Sequence, residues 1–345
     1  MKNHLIDSNA TIQEAIKRLD NLAVDALLFV VDGDNKLLGS ITDGDVRRGL
    51  IHGIQINSRV LEVMNSEPKR LHQNELDIQK TKEYREKNYK IIPIVNNQNQ
   101  IVDLLNFRLN KTRLPIDVVI MAGGRGSRLL PLTEKVPKPL LKVGEKSIIE
   151  HVIDGLALYG VKNIDISINY LGSLIKDEFG DGSSKGLNIR YIEEEVPLGT
   201  MGALALKESF SCPYTLVLNS DLLTAIDYED YFLDFLNKKA DLSAVGIPYK
   251  VDIPYGIFEL NDDRIIKINE KPTYTYFSNG GIYLFKSEFI QQIPKGKPYL
   301  ATEFIEELVL KKKKAITYSL LEYWLDIGNP SDFERAQIDI KHLKF

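Results

Sequence analysis

The first hundred residues repeat themselves. A shift of 64 carries Phe29-Val30-Val31-Asp32-Gly33-Asp34-Asn35-Lys36-Leu37-Leu38 onto Pro93-Ile94-Val95-Asn96-Asn97-Gln98-Asn99-Gln100-Ile101-Val102. Both passages read strand, polar turn, strand, the pattern of a β-hairpin around an Asp-Gly or Asn-Asn turn. Each hairpin follows a helical pattern. Ile12, Ala15, Ile16 and Leu19 share one face in the first. In the second, a more polar helix runs from about Leu76 to Lys87. Two units of about 55 residues are too few for a solenoid. The repeat therefore predicts a small paired domain over residues 1–112, with units of about 1–56 and 57–112.

The texture changes after Pro115. Ile116-Asp117-Val118-Val119-Ile120-Met121 reads as a buried strand ending in Ala122-Gly123-Gly124, and strands then alternate with helices. The pattern predicts a helix over Ser147–Leu158, with Ser147 and Glu150 spaced as a capping box. Strands are expected at Asn163–Asn169, Leu187–Glu193, Tyr214–Asn219 and Asp241–Pro248. Helices are expected near Leu174–Phe179, Thr200–Glu208 and Tyr228–Lys239, and a last one from about Pro330. Such alternation gives a largely parallel α/β sheet, so a second domain is predicted over 115–345.

Composition narrows the function. The 44 basic against 48 acidic residues lack the excess of cations that a nucleic-acid binder shows. No stretch approaches the ~20 apolar residues of a membrane span, and Met1–Ala10 has no apolar core of a signal peptide. The one cysteine, Cys212, cannot pair within the chain, which points to a reducing compartment and a cytoplasmic location.

A glycine-rich loop at a strand end brings backbone N–H groups close to phosphates. Met121-Ala122-Gly123-Gly124-Arg125-Gly126-Ser127-Arg128-Leu129 is such a loop. It is not the dinucleotide fingerprint, because Leu129 stands where the third glycine belongs. It is not Walker A either, since Gly144-Glu145-Lys146-Ser147 breaks that ending. Its continuation, with Pro131 and then Lys138-Pro139 ten residues after Arg128, resembles the signature of the sugar-1-phosphate nucleotidyltransferases. Ser127 replaces the more usual threonine. The resemblance implies a Rossmann-like domain with a mixed, mostly parallel sheet. It also implies that Ala122, Gly123, Gly124, Gly126 and Ser127 wrap a nucleoside triphosphate, with Arg128 and Lys138 as the catalytic cations. Attack of one phosphate on another brings like charges together, so fixed cations and positioning carry such chemistry.

Further motifs follow in the order the resemblance requires. Pro197-Leu198-Gly199-Thr200-Met201-Gly202 resembles the loop under the base, with Pro197, Gly199 and Thr200 as contacts. Asp221, in Leu218-Asn219-Ser220-Asp221, and Asp326, in Trp324-Leu325-Asp326-Ile327-Gly328, match the two acids that hold Mg²⁺. Mg²⁺ takes hard oxygen ligands and keeps substrate phosphates among them. Glu270-Lys271-Pro272 resembles the motif whose glutamate meets sugar hydroxyls and whose lysine meets the sugar phosphate. Asn279-Gly280-Gly281 resembles the segment that closes over the sugar. Glu193 is the candidate sugar contact among Glu193–Glu195, the other reading being a solvated acidic turn. No nucleophile–base pair is evident, so direct in-line transfer is expected.

The front domain resembles a tandem CBS pair, or Bateman module. Its most specific stretch is Gly39-Ser40-Ile41-Thr42-Asp43-Gly44-Asp45-Val46-Arg47-Arg48, where Thr42, Asp45 and Arg47 are the candidate contacts for a nucleotide or nucleotide-sugar effector. The same shift puts Asn106 on Thr42 and Leu109 on Asp45, so one ligand site at most is expected. The other reading is a purely structural dimerisation module.

The pairing of domains looks like that of the glucosamine-1-phosphate guanylyltransferases of the legionaminic acid pathway. It implies transfer from an NTP, with GTP favoured, to a sugar-1-phosphate, with glucosamine-1-phosphate favoured, in a homo-oligomer. Mannose-1-phosphate guanylyltransferase is the alternative, and uridylyl, cytidylyl and thymidylyl transfer stay open. A nucleotide-sensing regulator with an inactive transferase half is the alternative of a different class.

Overall fold

The computed structural model describes residues 1–73 and 77–343. It divides into two compact units, one of residues 1–114 with 158–160, the other of residues 115–157 and 161 onward.

The first unit opens with β1 (Leu5–Asp7), α1 (Ile12–Leu22), β2 (Leu28–Val31), β3 (Leu37–Ile41) and α2 (Asp43–Ile51). It continues with β4 (Leu71–His72), α3 (Ile78–Glu86), β5 (Ile91–Val95) and β6 (Ile101–Asn106). The predicted start of α3 at Leu76 lies outside the described residues. Each repeat is a three-stranded sheet, β1-β2-β3 and β4-β5-β6, with one parallel and one antiparallel pairing. The repeat reaches atomic detail. Oδ1 of Asp32 accepts from the N–H groups of Asp34 and Lys36, and Oδ1 of Asn96 accepts from those of Gln98 and Gln100. Asn35 and Asn99 take the left-handed conformation at φ +61° and +62°. Small asparagine side chains tolerate that region. The two turns then bind each other, Leu37 N–H to Asn99 O at 2.9 Å and Ile101 N–H to Asn35 O at 3.0 Å. Phe29, Val31, Leu37, Ile91, Val95 and Ile101 form one core cluster shared by both repeats. Symmetry ends after the hairpins. Thr42 caps α2, whereas its counterpart Asn106 closes a turn onto the Arg108 N–H.

The second unit starts with β7 (Ile116–Met121), the short β8 (Lys142–Val143) and β9 (Lys146–Ser147), α4 (Ile148–Leu158), β10 (Asn163–Ile168), α5 (Gly172–Phe179) and β11 (Asn188–Glu193). Next come α6 (Gly199–Gly202), β12 (Tyr214–Asn219), β13 (Leu222–Thr224), α7 (Tyr228–Asn237) and β14 (Leu242–Asp252). The chain ends with β15 (Ile257–Asn261), β16 (Arg264–Asn269), β17 (Thr273–Lys286), α8 (Ala301–Leu310), β18 (Ala315–Ser319), β19 (Trp324–Asp326) and α9 (Pro330–Asp339). Seven strands form one sheet in the order β11-β10-β7-β12-β17-β14-β18, and β17 alone runs against the rest. The sheet is mixed and mostly parallel, as expected. β7 is buried along almost its whole length because layers cover both of its faces.

Two local expectations fail. The capping box at Ser147 and Glu150 does not form: Ser147 pairs with Lys142 as strand, its hydroxyl is buried without a partner, and Glu150 reaches Lys185 at 2.7 Å. The helix expected over Thr200–Glu208 is one α-turn at Gly199–Gly202 followed by a 3₁₀ turn at Ala203–Leu206. The N–H groups of Met201 and Gly202 bond instead to Tyr299 O, which anchors that segment. Among the described residues, no helix is long and apolar enough to cross a membrane.

Candidate functional site

The parallel strands finish level with one another. Asn219 pairs with Met121, Met121 with Ser167, and Ile168 with Glu193, so four loops start along one sheet edge. In open α/β sheets this edge is where ligands bind.

The glycine-rich loop leaves β7 here. Ala122 is buried and gives its N–H to Ser167 O at 2.8 Å, so it extends the strand. Gly126 takes φ +61°, and a Cβ there would lie 2.8 Å from Lys138 Cβ. Glycine is thus required both by conformation and by the close approach of Lys138. Gly124 has no atom near where a Cβ would stand and is open. Ser127 and Arg128 begin a 3₁₀ turn that Leu129 pins into a buried cluster with Leu141, Leu223, Leu325 and Ile327. A cleft of about 330 Å³ is lined by Gly124, Gly126, Arg128, Lys138, Asn219 and Asp221, among others.

Lys138 is only 8% exposed. Its ammonium is ion-paired with Oδ2 of Asp221 and lies 3.8 Å from Oδ1 of Asp326. β13 pairs with β19 so that Leu222 faces Asp326, and the Ile327 N–H bonds to Asp221 O at 3.0 Å. That pairing places the two carboxylates beside one lysine. Burial, and then the Asp221 charge, push the Asp326 carboxyl above its usual range, while Lys138 and Arg128 pull it down. Each aspartate keeps one buried oxygen, Oδ1, with no hydrogen-bond partner. Two orphaned carboxylate oxygens at a strand edge suit a hard divalent cation. Among the described residues no group of three His, Cys, Asp or Glu gathers, so such an ion would take its other ligands from substrate and water.

The base-side loop is tightly built. Leu198 is buried, Gly199 takes φ +73°, and a Cβ at Gly199 would lie 2.9 Å from Tyr299 O. Pro197 and Thr200 flank these residues on the same loop. On the sugar side, Gly281 packs against Asn219, and Gly280 accepts a hydrogen bond from Trp324 Nε1 at 2.9 Å. Asn279 bonds to Tyr283 OH at 2.8 Å and to the Gly281 N–H.

Three sequence candidates fall apart from this cluster. Glu270 and Lys271 occupy the exposed turn between β16 and β17, where Glu270 approaches Gly256 and Lys271 takes φ +43°. β17 runs extended from there to Asn279, roughly 20 Å of strand at the usual rise per residue. Glu193 is exposed and pairs with Lys176 of α5 at 2.6 Å. Its neighbour Glu194, which sequence reading did not separate from it, is buried against the glycine-rich loop.

In the first unit, Thr42 and Asp45 form a reciprocal capping box at α2. Oδ2 of Asp45 accepts from the Thr42 N–H at 2.8 Å and the Thr42 hydroxyl at 2.7 Å, and Oδ1 accepts from Arg48 at 2.5 Å. Both residues border a cavity of about 980 Å³ with Leu27, Phe29, Tyr89 and Ile92 as apolar wall and Arg48, Lys69 and Lys90 as cations. Arg47 is exposed and does not line it; Arg48, one residue on, does.

Residues 117–342 match the family described as Nucleotidyl transferase, and residues 3–52 match the CBS domain. A mannose-1-phosphate guanylyltransferase of Mycobacterium tuberculosis is 31% identical over 234 residues, 65% of this chain and 64% of that protein. A D-glycero-α-D-manno-heptose 1-phosphate guanylyltransferase of Aneurinibacillus thermoaerophilus is 30% identical over 66% of this chain and 99% of its own. The chain thus spans under two thirds of the first relative and nearly all of the second. A crystal structure of a Bacillus anthracis protein assigned as a glucose-1-phosphate thymidylyltransferase superposes with a TM-score of 0.54 at 27% identity, covering 67% of this chain and 97% of that one. With a glycine-rich loop, Lys138 and two aspartates at one sheet edge, the chain belongs to the nucleotidyl transferase family and carries a CBS domain at its N-terminus.

Proposed function

We propose that the chain transfers a nucleotidyl group from an NTP, GTP favoured, to a sugar-1-phosphate, giving an NDP-sugar and pyrophosphate. The observation that carries this reading is Lys138 set between Asp221 and Asp326 beside the glycine-rich loop. A phosphate oxygen of the sugar-1-phosphate attacks the α-phosphorus. The bond from that phosphorus to the α–β bridging oxygen breaks, and pyrophosphate leaves. Arg128 and Lys138 neutralise the phosphates, and the loop from Gly123 to Ser127 holds them in line. Mg²⁺, held by Asp221 and Asp326, would supply charge stabilisation at the reacting phosphates.

GTP is favoured because the relatives above are named guanylyltransferases. Glucosamine-1-phosphate is favoured by the pairing with a CBS module, and mannose-1-phosphate is the alternative that the relatives' names support. The CBS cavity takes a nucleotide or nucleotide-sugar effector. A cytoplasmic homo-oligomer fits the single cysteine and the apolar face that Phe258, Leu260 and Ile268 leave exposed on the β15–β16 hairpin. Pyrophosphate release measured for four NTPs against a panel of sugar-1-phosphates, with Mg²⁺, tests the reading. Turnover with GTP and one hexosamine or hexose phosphate supports it. No turnover with any pair leaves the regulator with an inactive transferase half.

A further inference from the structure

Glu194 is 8% exposed, and its contacts reach three separate loops. Oε1 accepts from the Ser167 hydroxyl at the end of β10. Oε2 accepts from the Leu198 N–H at 2.8 Å, in the base-side loop that follows β11. Its backbone carbonyl accepts from Asn169 Nδ2 at 2.5 Å, and its own N–H bonds to Ile168 O at 2.9 Å. The third loop is the glycine-rich one: a Cβ on Gly123 would lie 2.9 Å from Oε1 and 3.3 Å from Asn169 Cβ. A side chain on Gly123 would have to displace this hydrogen-bonded carboxylate.

We propose that Glu194 is a positioning residue for the nucleoside triphosphate. It fixes the separation between the loop from Gly123 to Ser127 and the loop from Pro197 to Thr200, and so between the triphosphate and base ends of the site. The proposal rests on the transferase reading above. Chemistry favours a carboxylate at this place. Two donors arrive from opposite sides, the Ser167 hydroxyl and the Leu198 N–H, and a carboxylate has an acceptor oxygen for each. An amide has only one, and alanine leaves both donors buried and unpaired. On the sugar side, Asn279 bonds to Tyr283 and Gly281 packs on Asn219, partners other than Glu194.

The test uses the full chain. Glu194→Ala is expected to raise KM for GTP about tenfold, the size of a lost buried hydrogen bond, with the sugar-1-phosphate KM little changed. Glu194→Gln is expected to fall between. Amide exchange of residues 195–202 is expected to quicken in Glu194→Ala, a readout that needs no turnover. It therefore still decides the bracket if the wild-type chain proves inactive and the transferase reading falls. A double-mutant cycle with Gly123→Ala adds a second arm: the new methyl is expected to be costly beside Glu194 and much less so beside alanine. Should Glu194→Ala not fold, Ser167→Ala removes a single hydroxyl and is expected to shift the GTP KM in the same direction. Equal losses on both substrates, unchanged exchange at 195–202, or additive effects in the cycle would overturn the proposal.

Discussion

Lys138 and Asp221, 83 positions apart in sequence, are joined as an ion pair inside the cleft, and Asp326 stands 3.8 Å from the same ammonium. The lysine's positive charge sits between two acids that would otherwise repel. Lys138→Met is therefore expected to destabilise the metal-free protein by about 1–3 kcal/mol, a partly exposed version of a broken buried pair. Added Mg²⁺ is expected to restore part of that loss. Thermal melts with and without Mg²⁺ check it, and a variant as stable as wild type in chelator contradicts the arrangement.

The two aspartates are expected to differ in stability. Asp326→Asn removes the carboxylate that burial and Asp221 disfavour, so the fold is expected to hold or gain slightly in chelator, whereas Asp221→Asn also breaks the Lys138 ion pair and is expected to cost about 1–3 kcal/mol. If the proposed Mg²⁺ is held by these two acids, turnover is expected to fall by orders of magnitude, because a ligand to the charge at the reacting phosphates would be lost. Near-wild-type turnover in both variants would sink the metal assignment.

Arg128 and Lys271 should separate the two substrates. The Arg128 guanidinium lies beside the cleft, close to Gly328 and Asp332, so Arg128→Ala is expected to raise KM chiefly for the NTP. Lys271 sits on the turn at the far end of β17. If Lys271 meets the sugar phosphate, as its motif implies, Lys271→Ala is expected to raise KM chiefly for the sugar-1-phosphate. Steady-state kinetics with each substrate varied in turn decide it. Wild-type kinetics in Lys271→Ala would remove it from the sugar-phosphate site.

Cys212 is expected to be inert. Burial, and then the nearby Asp117 carboxylate, push its thiol up to about 11. The neutral thiol is the form that predominates below that value, so the reactive thiolate stays scarce at pH 8 and grows about tenfold per pH unit up to 11. Iodoacetamide labelling followed by mass spectrometry from pH 7 to 10 should show that rise. Fast labelling at pH 7 would contradict the burial.

Much of this was legible from residue pattern. The shift of 64 that aligned the hairpins also aligned Asp32 with Asn96 and Asn35 with Asn99, whose turn geometries match. Strand ends were readable because Tyr214–Asn219 is apolar and bounded by polar residues. What stayed hidden depends on tertiary partners. Nothing in Glu193-Glu194-Glu195 marks the middle acid as buried until Ser167 and Leu198 are brought to it. Ser147 and Glu150 have the spacing of a cap, but Lys142 and Lys185 compete for them and win. Arg47 and Arg48 are interchangeable in sequence, and only the helical phase of α2 points one of them at the cavity.

That phase reshapes the test of the front domain. Asp45 completes the Thr42 capping box on α2 and holds Arg48, so Asp45→Ala opens that box, costing about 1 kcal/mol, along with any ligand contact. Arg48→Ala leaves the Thr42–Asp45 box in place and removes the cation at the cavity with its exposed ion pair to Asp45, which is worth little. If Arg48 neutralises an effector phosphate, Arg48→Ala is expected to weaken nucleotide binding at least tenfold with the melting temperature little changed, whereas Arg47→Ala binds as wild type. Calorimetry of the full chain against AMP, ATP, GTP and nucleotide-sugars is the measurement. The Asp221→Asn background identifies heat from the transferase site, since only that component should change. An effector with different affinities for two arrangements of the protein should also shift turnover, by typically ~1–3 kcal/mol of coupling. Binding that Arg48→Ala and Arg47→Ala weaken alike would place the ligand elsewhere. If no ligand binds below millimolar, the front domain is a scaffold.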